Sequence, residues 1–444
     1  MVQLNCTADQ MTERSIVHAR ELLQTVKSNL WFINILNIFI KSIKMKFTLI
    51  LVFLFCFNEF WCKHPILLVP GDGGSQLYGY FLKTPLHYVC GRQNKWFLLW
   101  LNPYFMLPIS LDCFVETIRL EYNSTSRRTY SPDCCEVYAP GFGTLEPIEY
   151  LSSIRIKKTS YYYYIIKELV DSLNYTPDAD IRGVPYDFRK SPNHMGQLKR
   201  DMKSLIENMY TENGNLPVIL IGHSLGNLYL NLILNSVSQE WKNKYIKTFI
   251  SISGPYHGAI DALRTALSGN NEHIPIINPI RVRKAQASWP STYFLMPTPG
   301  LWSNQTIVAT KKGYYTTNTI ADLLKASGIP NAVDLYKVDT IQIQNDLHPP
   351  RTSVHCIYTN NYKTPVLLDY QLVNFPDDQP SIKYGNGDGT VNLESLEVCS
   401  NWNRSQTEPV TTFIVPDVSH LEILRDERTI RYLTSIIENI NKNN

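Results

Sequence analysis

The most informative pattern in the chain is a short apolar run that leads into a glycine-flanked serine. Residues 216–221 are aliphatic except for Pro217, close to the start, where a strand tolerates proline. Residues 222–226, GHSLG, match G-x-S-x-G around Ser224, and an apolar helix-like run follows. Strand, tight turn and helix form the context in which this motif is a nucleophile elbow. A chance match in a loop is the alternative, and the fitting strand and helix count against it.

Similar patterns on both sides of the motif predict alternating strands and helices. Apolar runs that end in turn residues predict strands, whereas apolar positions three or four residues apart predict helices. The predicted strands lie within residues 64–74, 216–221, 247–253, 354–359 and 411–415. The predicted helices are residues 160–173, 197–210 and 429–440. This alternation is typical of a mostly parallel sheet with crossover helices, and with the elbow it predicts an α/β-hydrolase domain over residues 63–444.

Two stretches break this alternation and are interpreted as insertions. Residues 256–345 are rich in Pro, Asn, Ser and Thr, which is typical of a cap or lid over the active-site face. Residues 90–125 contain the run WFLLWLNPYFMLP at 96–108, which prolines interrupt and which is too short to span a bilayer. Its aromatic residues suit a membrane–water interface. On composition alone, however, a buried core segment is the slightly better interpretation.

The catalytic base is sought among the histidines that follow Ser224, because the triad of this fold has the order Ser, Asp or Glu, His. His420 lies between the last predicted strand and the closing helix. Catalytic groups of parallel sheets gather in such strand-end loops, so His420 is the predicted base. His355 falls within a strand, and His257 and His273 fall in the predicted cap.

Asp388 is the predicted acid, because the loop YGNGDGTVN at 384–392 holds it in a glycine-rich turn. Such a turn presents a carboxylate to the imidazole that it must orient. A calcium-binding turn is the alternative, but the twelve-residue pattern of acidic ligands is absent from the sequence. Weaker candidates for the acid are Asp369, Asp377, Asp378 and Asp417.

The predicted chemistry is acyl transfer, in which Ser224 attacks the carbonyl, His420 takes and returns the proton, and Asp388 orients His420. Backbone N–H groups of Leu225 and of a residue near Asp72 hold the oxyanion. The turn near Asp72, residues 71–74, follows the first predicted strand, and an ordinary tight turn is an equally good interpretation of it. We expect no cofactor and no metal.

The amino-terminal region predicts export. A basic start at Met45-Lys46, an apolar run at 47–57 and a polar boundary form a secretory signal peptide over residues 45–62. Because this signal begins at an internal methionine, residues 1–44 are interpreted as an over-extended translation start. A retained signal anchor is the alternative, but each apolar run is shorter than the roughly 20 residues that a membrane span needs.

Composition supports the secretory compartment and argues against one class of partner. The formal net charge is only +3 over 444 residues and no Lys/Arg tract dominates, which argues against nucleic acid. Beyond the predicted signal, an even set of cysteines suits disulfides, whose pairing the sequence leaves open: Cys90, Cys113, Cys134, Cys135, Cys356 and Cys399. Sequons predict glycosylation at Asn123, Asn174, Asn304 and Asn403.

Several longer segments make the chain resemble the lecithin–cholesterol acyltransferase family. They follow the family's order from residue 64 to the carboxyl terminus: LLVPGDGGSQL, HYVC, LWLNP, LDCF, RGVPYDFR, GHSLGN, ALSGNNEHIPI, GDGTVNLESL and SHLEIL. Asn227 and the GDGTVN segment favour the lysosomal phospholipase branch over the plasma acyltransferase branch. The chain departs from the family pattern at Gly73, at Tyr256-His257 and at Cys134-Cys135.

The resemblance implies specific residues for the site. It implies a triad of Ser224, Asp388 and His420 with oxyanion donors at Asp72 and Leu225. It also implies the disulfides Cys90–Cys113 and Cys356–Cys399. In the family the apolar segment binds membranes, which reverses the preference for a core segment and implies contacts by Trp96, Phe97, Leu98, Leu99, Trp100 and Leu101.

The resemblance further implies a calcium-independent phospholipase that passes a fatty acyl chain of a membrane glycerophospholipid to water or to a lipid alcohol. A lysosomal or secreted location goes with it. A neutral-lipid lipase or a sterol O-acyltransferase would use the same chemistry and is the first alternative. A lipid-binding protein that keeps the fold without turnover is the second, and the intact Ser, Asp and His candidates argue against it.

Overall fold

The computed structural model describes residues 63–83, 88–91, 95–272, 274–300, 302, 304–341 and 347–443. The predicted signal peptide at 45–62, the over-extended start at 1–44 and His273 lie outside the described residues. The strands are β1 Ile66–Val69, β2 Leu77–Phe81, β3 Phe97–Trp100, β4 Glu121–Asn123, β5 Arg128–Tyr130, β6 Cys135–Tyr138, β7 Ile181–Gly183, β8 Val218–His223, β9 Ile246–Ile252, β10 Val308–Thr310, β11 Gly313–Tyr315, β12 Val354–Tyr358, β13 Thr364–Asp369, β14 Ser381–Gly385 and β15 Val410–Ile414.

The longest α-helices of the described residues lie outside the two predicted insertions. The α-helices are α1 Leu111–Ile118, α2 Glu146–Glu149, α3 Tyr163–Leu173, α4 Gly196–Glu212, α5 Leu225–Ser236, α6 Gln239–Tyr245, α7 Ile260–Ser268, α8 Pro279–Gln286, α9 Pro290–Phe294, α10 Ile320–Ser327, α11 Ala332–Tyr336, α12 Leu393–Leu396, α13 Val398–Asn401 and α14 Glu427–Lys442. In the part of the chain that the structure describes, no helix is both long and apolar enough to cross a bilayer.

A six-stranded parallel sheet in the order β15-β12-β9-β8-β1-β7 carries the fold. The strand β8 pairs with β1, where Ile221 lies opposite Leu68, and with β9, where His223 lies opposite Ile252. Every residue of β1 and β8 is buried, because helices cover both faces of a parallel sheet. This burial explains the continuous apolar runs in the sequence, and the predicted α/β architecture is confirmed.

Alternate residues of the central strands enter two separate cores. Leu67 and Val69 pack on one face of the sheet, and Ile66 and Leu68 pack on the other. On the second face, α14 lies against α3 and buries an apolar stripe that includes Leu433. The stripe follows the helical period, which is why the sequence predicts this closing helix correctly.

A four-stranded sheet in the order β11-β10-β13-β14 belongs to a smaller packed unit with the helices α7, α9, α10 and α11. Its own hydrophobic core contains Leu263, Tyr293, Leu324 and Leu368. Because β13 and β14 come after residue 345, this unit draws on chain beyond the predicted insertion at 256–345. The loop after β14 carries Asp388, so the unit bears directly on the site.

A three-stranded antiparallel sheet in the order β3-β2-β6 forms a third sheet near the amino-terminal end of the hydrolase domain. In this sheet Tyr78 lies opposite both Leu98 and Tyr138. Residues that face each other across strands point to the same side, so these three share one face. Tyr80 and Trp96 lie beside them, with ring centroids 5.4 Å apart. We refer to this surface as the aromatic face, defined by Tyr78, Tyr80, Trp96, Leu98 and Tyr138.

The pleat of β3 divides the segment that was predicted to bind membranes. Phe97 and Leu99 point inward and are core residues, so the structure removes them from the predicted contacts. Trp100 and Leu101 are partly buried against the same core. Trp96 stays 39% exposed, and Leu98 shares its side of the strand. A membrane prediction for this segment therefore narrows to Trp96 and Leu98, because side chains alternate along a strand.

Candidate active site

Ser224 occupies the sharp turn between β8 and α5. Its backbone has φ 53° and ψ −129°, a strained conformation that a nucleophile elbow requires. The turn is possible because Gly226 lies against β1, where an added Cβ atom would come within 2.3 Å of the Val69 carbonyl oxygen. The side chain of Ser224 is consequently held at the carboxyl end of the sheet, and the residue is only 8% exposed.

Ser224, His420 and Asp388 meet in one line of hydrogen bonds. Nε2 of His420 lies 2.8 Å from Oγ of Ser224, and Nδ1 of His420 lies 2.6 Å from Oδ2 of Asp388. The three residues come from different parts of the fold: the loops after β8, β14 and β15. This arrangement lets the imidazole accept the serine proton while the carboxylate fixes its tautomer.

The Asp388 carboxylate is fully buried and uses both oxygens. Oδ1 accepts hydrogen bonds from the amides of Thr390 at 3.0 Å and Val391 at 2.6 Å, which leaves Oδ2 for His420. The backbone carbonyl of Asp388 also accepts the His420 amide at 2.7 Å. Two separate contacts therefore hold the acid and the base together, and the turn orients the carboxylate as the sequence predicts.

The turn at 71–74 after β1 lies directly against the elbow. An added Cβ atom on Gly71 would come within 2.5 Å of Cβ of Ser224, so only glycine allows this approach. The Gly74 amide donates to the Gly71 carbonyl at 3.1 Å, and the indole Nε1 of Trp100 donates to the Gly73 carbonyl at 2.7 Å. The Asp72 amide is thereby held beside Ser224 on a pinned turn.

Leu225 is the first residue of α5, where a helix leaves its N–H groups without an intrahelical acceptor. The helix N-terminus also carries a partial positive charge, which favours a developing oxyanion. Asp72 and Leu225 thus flank Ser224 from two elements, the turn after β1 and the start of α5. They are the two oxyanion donors that the family resemblance implies, and this role stays a prediction.

Two carboxyl groups near the reacting atoms have strongly perturbed pKa values. Desolvation by the surrounding protein raises the pKa of the Asp72 carboxyl to about 7, against the opposing effects of the Gly73 amide and of His420, while the residue itself is exposed. Burial also raises the pKa of Glu272 to about 8, and the charges of Asp72 and Asp261 add to the effect. Glu272 is exposed as Asp72 is, so solvent limits the effect of desolvation on both pKa values.

Two further side chains beside the triad were not singled out from the sequence. The Tyr161 hydroxyl accepts a hydrogen bond from the Gly71 amide, and its oxygen lies 2.6 Å from Nδ1 of His223. Nε2 of His223 lies 2.9 Å from the His420 carbonyl oxygen. His223 is visible in the GHSLG motif, but nothing in the run of four tyrosines at 161–164 distinguishes Tyr161.

The competing histidines make other contacts. Nδ1 of His257 lies 3.0 Å from the Thr298 hydroxyl, and Nδ1 of His355 lies 2.6 Å from the Thr411 hydroxyl. Burial lowers the pKa of both imidazoles. The sequon residues Asn123, Asn174, Asn304 and Asn403 are all exposed, as a glycan would require.

Disulfides join elements on both sides of the site. Cys90–Cys113 links a short 3₁₀ turn to α1, and Cys356–Cys399 links β12 to α13, in the pairing that the family resemblance implies. Cys134 and Cys135 form a third bridge between adjacent residues, at the start of β6. Within the described residues no group of three His, Cys, Asp or Glu side chains is arranged to hold a metal ion.

Comparisons with known proteins agree with this geometry. The family model described as "Lecithin:cholesterol acyltransferase" matches residues 96–339 and 305–427. "Lysosomal phospholipase A and acyltransferase" of Rattus norvegicus is 38% identical over 376 residues, which cover 84% of this chain and 90% of that protein. "Phosphatidylcholine-sterol acyltransferase" of Mus musculus is 29% identical, with 84% of this chain and 85% of that protein covered.

Among solved structures, a chain in "The crystal structure of Tle4-Tli4 complex" matches with a TM-score of 0.50. The match covers 85% of this chain and 98% of that chain at 13% sequence identity. At so low an identity the similarity shows the fold alone. It agrees with the parallel sheet described above.

Proposed function

The chain belongs to the lecithin:cholesterol acyltransferase family, and we propose that it is a phospholipase and transacylase. It cleaves a fatty acyl ester of membrane glycerophospholipids through an acyl-enzyme on Ser224. The observation that carries this proposal is the continuous line of hydrogen bonds from Ser224 through His420 to buried Asp388. The relatives named for phospholipase and acyltransferase activity support the substrate class.

In the proposed reaction, Oγ of Ser224 attacks the ester carbonyl while Nε2 of His420 takes its proton. Asp388 stabilises the imidazolium that forms and keeps the ring in the correct tautomer. The amides of Asp72 and Leu225 donate to the oxyanion, and each such donor is typically worth about 2.7–4 kcal/mol in the transition state. His420 then returns the proton to the leaving alcohol, which departs as a lysophospholipid.

The acyl-enzyme is released by a second acceptor. Water gives a free fatty acid, and a lipid alcohol gives an acylated lipid. In both cases His420 removes the proton of the incoming hydroxyl, and the tetrahedral intermediate collapses to free Ser224. Every group that acts on the substrate in this scheme belongs to the protein, so we propose that the reaction is independent of calcium.

The aromatic face is the proposed contact with the phospholipid surface. Trp96 and Tyr138 are 39% and 42% exposed, and their ring centroids lie 4.5 Å apart in an edge-to-face arrangement. Tyrosine and tryptophan side chains combine an apolar body with a polar tip, which suits the depth of lipid headgroups. Leu98 on the same face would add apolar area.

A lysosomal or secreted location is part of the proposal. The exposed sequons support passage through the secretory route, and so do the disulfides, which form in oxidising compartments. The relatives include proteins named as lysosomal. Immunofluorescence of the full chain beside a lysosomal marker, together with its assay in the culture medium, distinguishes the two locations.

The proposal is tested with purified wild-type protein and the Ser224→Ala variant on phosphatidylcholine vesicles, with and without a long-chain alcohol and with excess EDTA. We expect the wild type to release fatty acid, to form acylated alcohol when the alcohol is present, and to tolerate EDTA. Ser224→Ala should lose about 10⁶-fold in kcat by analogy with serine proteases.

Three outcomes would overturn parts of the proposal. Equal acyl release by both proteins would refute the role of Ser224. Turnover of triglyceride but never of phospholipid would favour a neutral-lipid lipase. A strict requirement for cholesterol as acceptor would favour a sterol acyltransferase, which the relative named phosphatidylcholine-sterol acyltransferase makes a natural comparison.

A further inference from the structure

Three segments of the site meet at a pair of buried side chains that take no direct part in the proposed reaction. The Gly71 amide donates to the Tyr161 hydroxyl at 2.8 Å, and the hydroxyl oxygen lies 2.6 Å from Nδ1 of His223. Nε2 of His223 lies 2.9 Å from the His420 carbonyl oxygen. Tyr161 and His223 are only 3% and 1% exposed, so water does not compete for these contacts. The turn at 71–74, the elbow at Ser224 and the loop that carries His420 are thus connected by hydrogen bonds through Tyr161 and His223.

The hydrogen-bonding partners assign every proton in this chain of contacts. A carbonyl oxygen only accepts, so Nε2 of His223 carries a proton and donates to His420. Nδ1 of the neutral ring is then an acceptor, and the Tyr161 hydroxyl donates to it. Burial, together with the nearby His420, holds the pKa of His223 well below its usual range, although the bond to the His420 carbonyl opposes this. The His223 ring therefore stays neutral, and the directions of these hydrogen bonds do not change.

We infer that Tyr161 and His223 are positioning residues that hold the turn at 71–74 and the His420 loop in fixed positions around Ser224. The inference rests on the proposed function. Gly71 precedes Asp72, so a fixed Gly71 amide sets the direction of the next peptide, whose N–H is the proposed oxyanion donor. At the other end, the bond to the His420 carbonyl sets the backbone from which the base extends.

The neighbouring residue Tyr162 provides a matched control. Its hydroxyl is also buried and also bonds to a backbone group, donating to the Val69 carbonyl at 3.0 Å. It makes no contact with His223 in the part of the chain that the structure describes. Loss of the Tyr162 hydroxyl removes one buried hydrogen bond, whereas loss of the Tyr161 hydroxyl removes two and breaks the connection between Gly71 and His223.

The test compares Tyr161→Phe with Tyr162→Phe on a short-chain p-nitrophenyl ester, with Ser224→Ala as the inactive reference. We expect Tyr161→Phe to lose on the order of tenfold in kcat with little change in KM, because a displaced oxyanion donor weakens transition-state binding. Tyr162→Phe should keep kcat within about twofold, as expected for a hydroxyl outside the catalytic groups. Equal kcat in the two variants would overturn the inference.

A pH profile supplies a readout that a purely structural role would not move. In Tyr161→Phe, Nδ1 of His223 loses its donor and can take a proton at acidic pH. Protonated His223 would oppose the positive charge that forms on His420 in the transition state, so this form reacts slowly; the Asp388 carboxylate would partly offset the charge, whereas Asp72 is mostly neutral at that pH. The acid limb of kcat should therefore move to higher pH in Tyr161→Phe and stay in place in Tyr162→Phe. Identical pH profiles of kcat in the two variants would count against a positioning role for Tyr161 and His223.

A second pair of variants covers the case in which Tyr161→Phe does not fold. His223→Gln offers an amide N–H and a carbonyl on one side chain, whereas His223→Leu offers neither. We expect His223→Gln to keep most of the kcat that His223→Leu loses. Equal loss in the two variants would refute the positioning role of His223. If Ser224→Ala is as active as the wild type, the proposed function fails instead. If Ser224→Ala is inactive but the Tyr161 and His223 variants keep full kcat, only the positioning role of Tyr161 and His223 is refuted.

Discussion

The triad and the aromatic face differ in burial and in the kind of contacts they make, although the strand β3 lies next to both of them. In the triad Ser224 and Asp388 are buried and His420 is partly buried, and the three residues come from loops of the central and four-stranded sheets. The aromatic face is exposed, and its aromatic rings pack mainly on one another. Chemistry requires fixed distances, whereas contact with a fluid lipid surface requires only exposed area of the right polarity.

Trp100 connects these two regions. It is the last residue of β3, four positions after Trp96, and its indole donates to the Gly73 carbonyl at 2.7 Å. Strand β3 therefore presents one side chain to solvent at its start and pins the turn beside Ser224 at its end. The comparison implies that substitutions in the buried region change kcat, whereas substitutions in the aromatic face change binding to vesicles. Substitutions at Trp100 should lower kcat and leave binding to vesicles unchanged.

The largest effect is expected from Asp388→Asn. The amide keeps the shape of the side chain but cannot stabilise the imidazolium of His420, so kcat should fall by about 10⁴-fold. Steady-state kinetics on a soluble ester measure this loss. Asp369→Asn, at a weaker candidate for the acid, is the matched control and should retain nearly full activity. A loss below tenfold at Asp388 would show that another group supplies the charge.

A smaller effect is expected from Trp100→Phe. The substitution leaves the Gly73 carbonyl without its donor, and a slightly displaced turn should lower kcat by on the order of tenfold on soluble and vesicle substrates alike. Trp289→Phe is the control, because its indole also donates to a backbone carbonyl, that of Ile118, and also packs on Phe188. Equal kcat in both variants would show that the bond from Trp100 to the Gly73 carbonyl does not affect the reaction.

The next effect concerns pH and the Asp72 carboxyl. With its pKa raised to about 7, this group is mostly neutral below that pH and ionises above it. A negative charge beside the oxyanion opposes catalysis, so activity should fall as pH rises through about 7. Asp72→Asn keeps the backbone donor and removes the ionisation, and the fall should weaken by several-fold. Unchanged pH profiles would assign the fall to another group, of which Glu272 is the first to test.

The smallest effect is expected from the double variant Trp96→Ala/Tyr138→Ala on the aromatic face. Loss of two exposed rings should weaken adsorption to phosphatidylcholine vesicles by several-fold, with kcat on a soluble ester unchanged. Vesicle sedimentation and the two assays measure this directly. Tyr314→Ala removes a ring that is 67% exposed on another sheet, and it should leave adsorption unchanged. Loss of ester activity would contradict the division between the two regions.

The sequence predicts the central sheet well, and it also singles out the three residues that the structure brings together at Ser224, because both follow from local patterns. Buried strands such as β8 are continuous apolar runs, and the glycines around Ser224 and Asp388 mark the turns that hold these residues. The strand β7 is missed because it is only three residues long and contains Arg182 and Gly183. A pattern of that length contains no usable period.

Other features depend on contacts that local patterns do not encode. In β3, composition suggests one apolar surface, but the pleat sends Phe97 and Leu99 into the core and Trp96 to solvent. The contact between Trp100 and Gly73 depends on the register of strands distant from the motif. Tyr161 is one of four consecutive tyrosines, and only the folded chain distinguishes it from Tyr162.

The Cys356–Cys399 disulfide makes the catalytic acid dependent on redox chemistry elsewhere in the cell. It closes a loop with a sequence separation of 43 residues, and Asp388 lies inside that loop. Closing a loop of this size removes conformational entropy from the unfolded chain equivalent to about 4 kcal/mol, which is a large part of the stability of a typical domain. The same polypeptide kept in a reducing compartment would have to order the Asp388 loop without that help. Folding in an oxidising compartment would thus contribute to the order of the proposed active site.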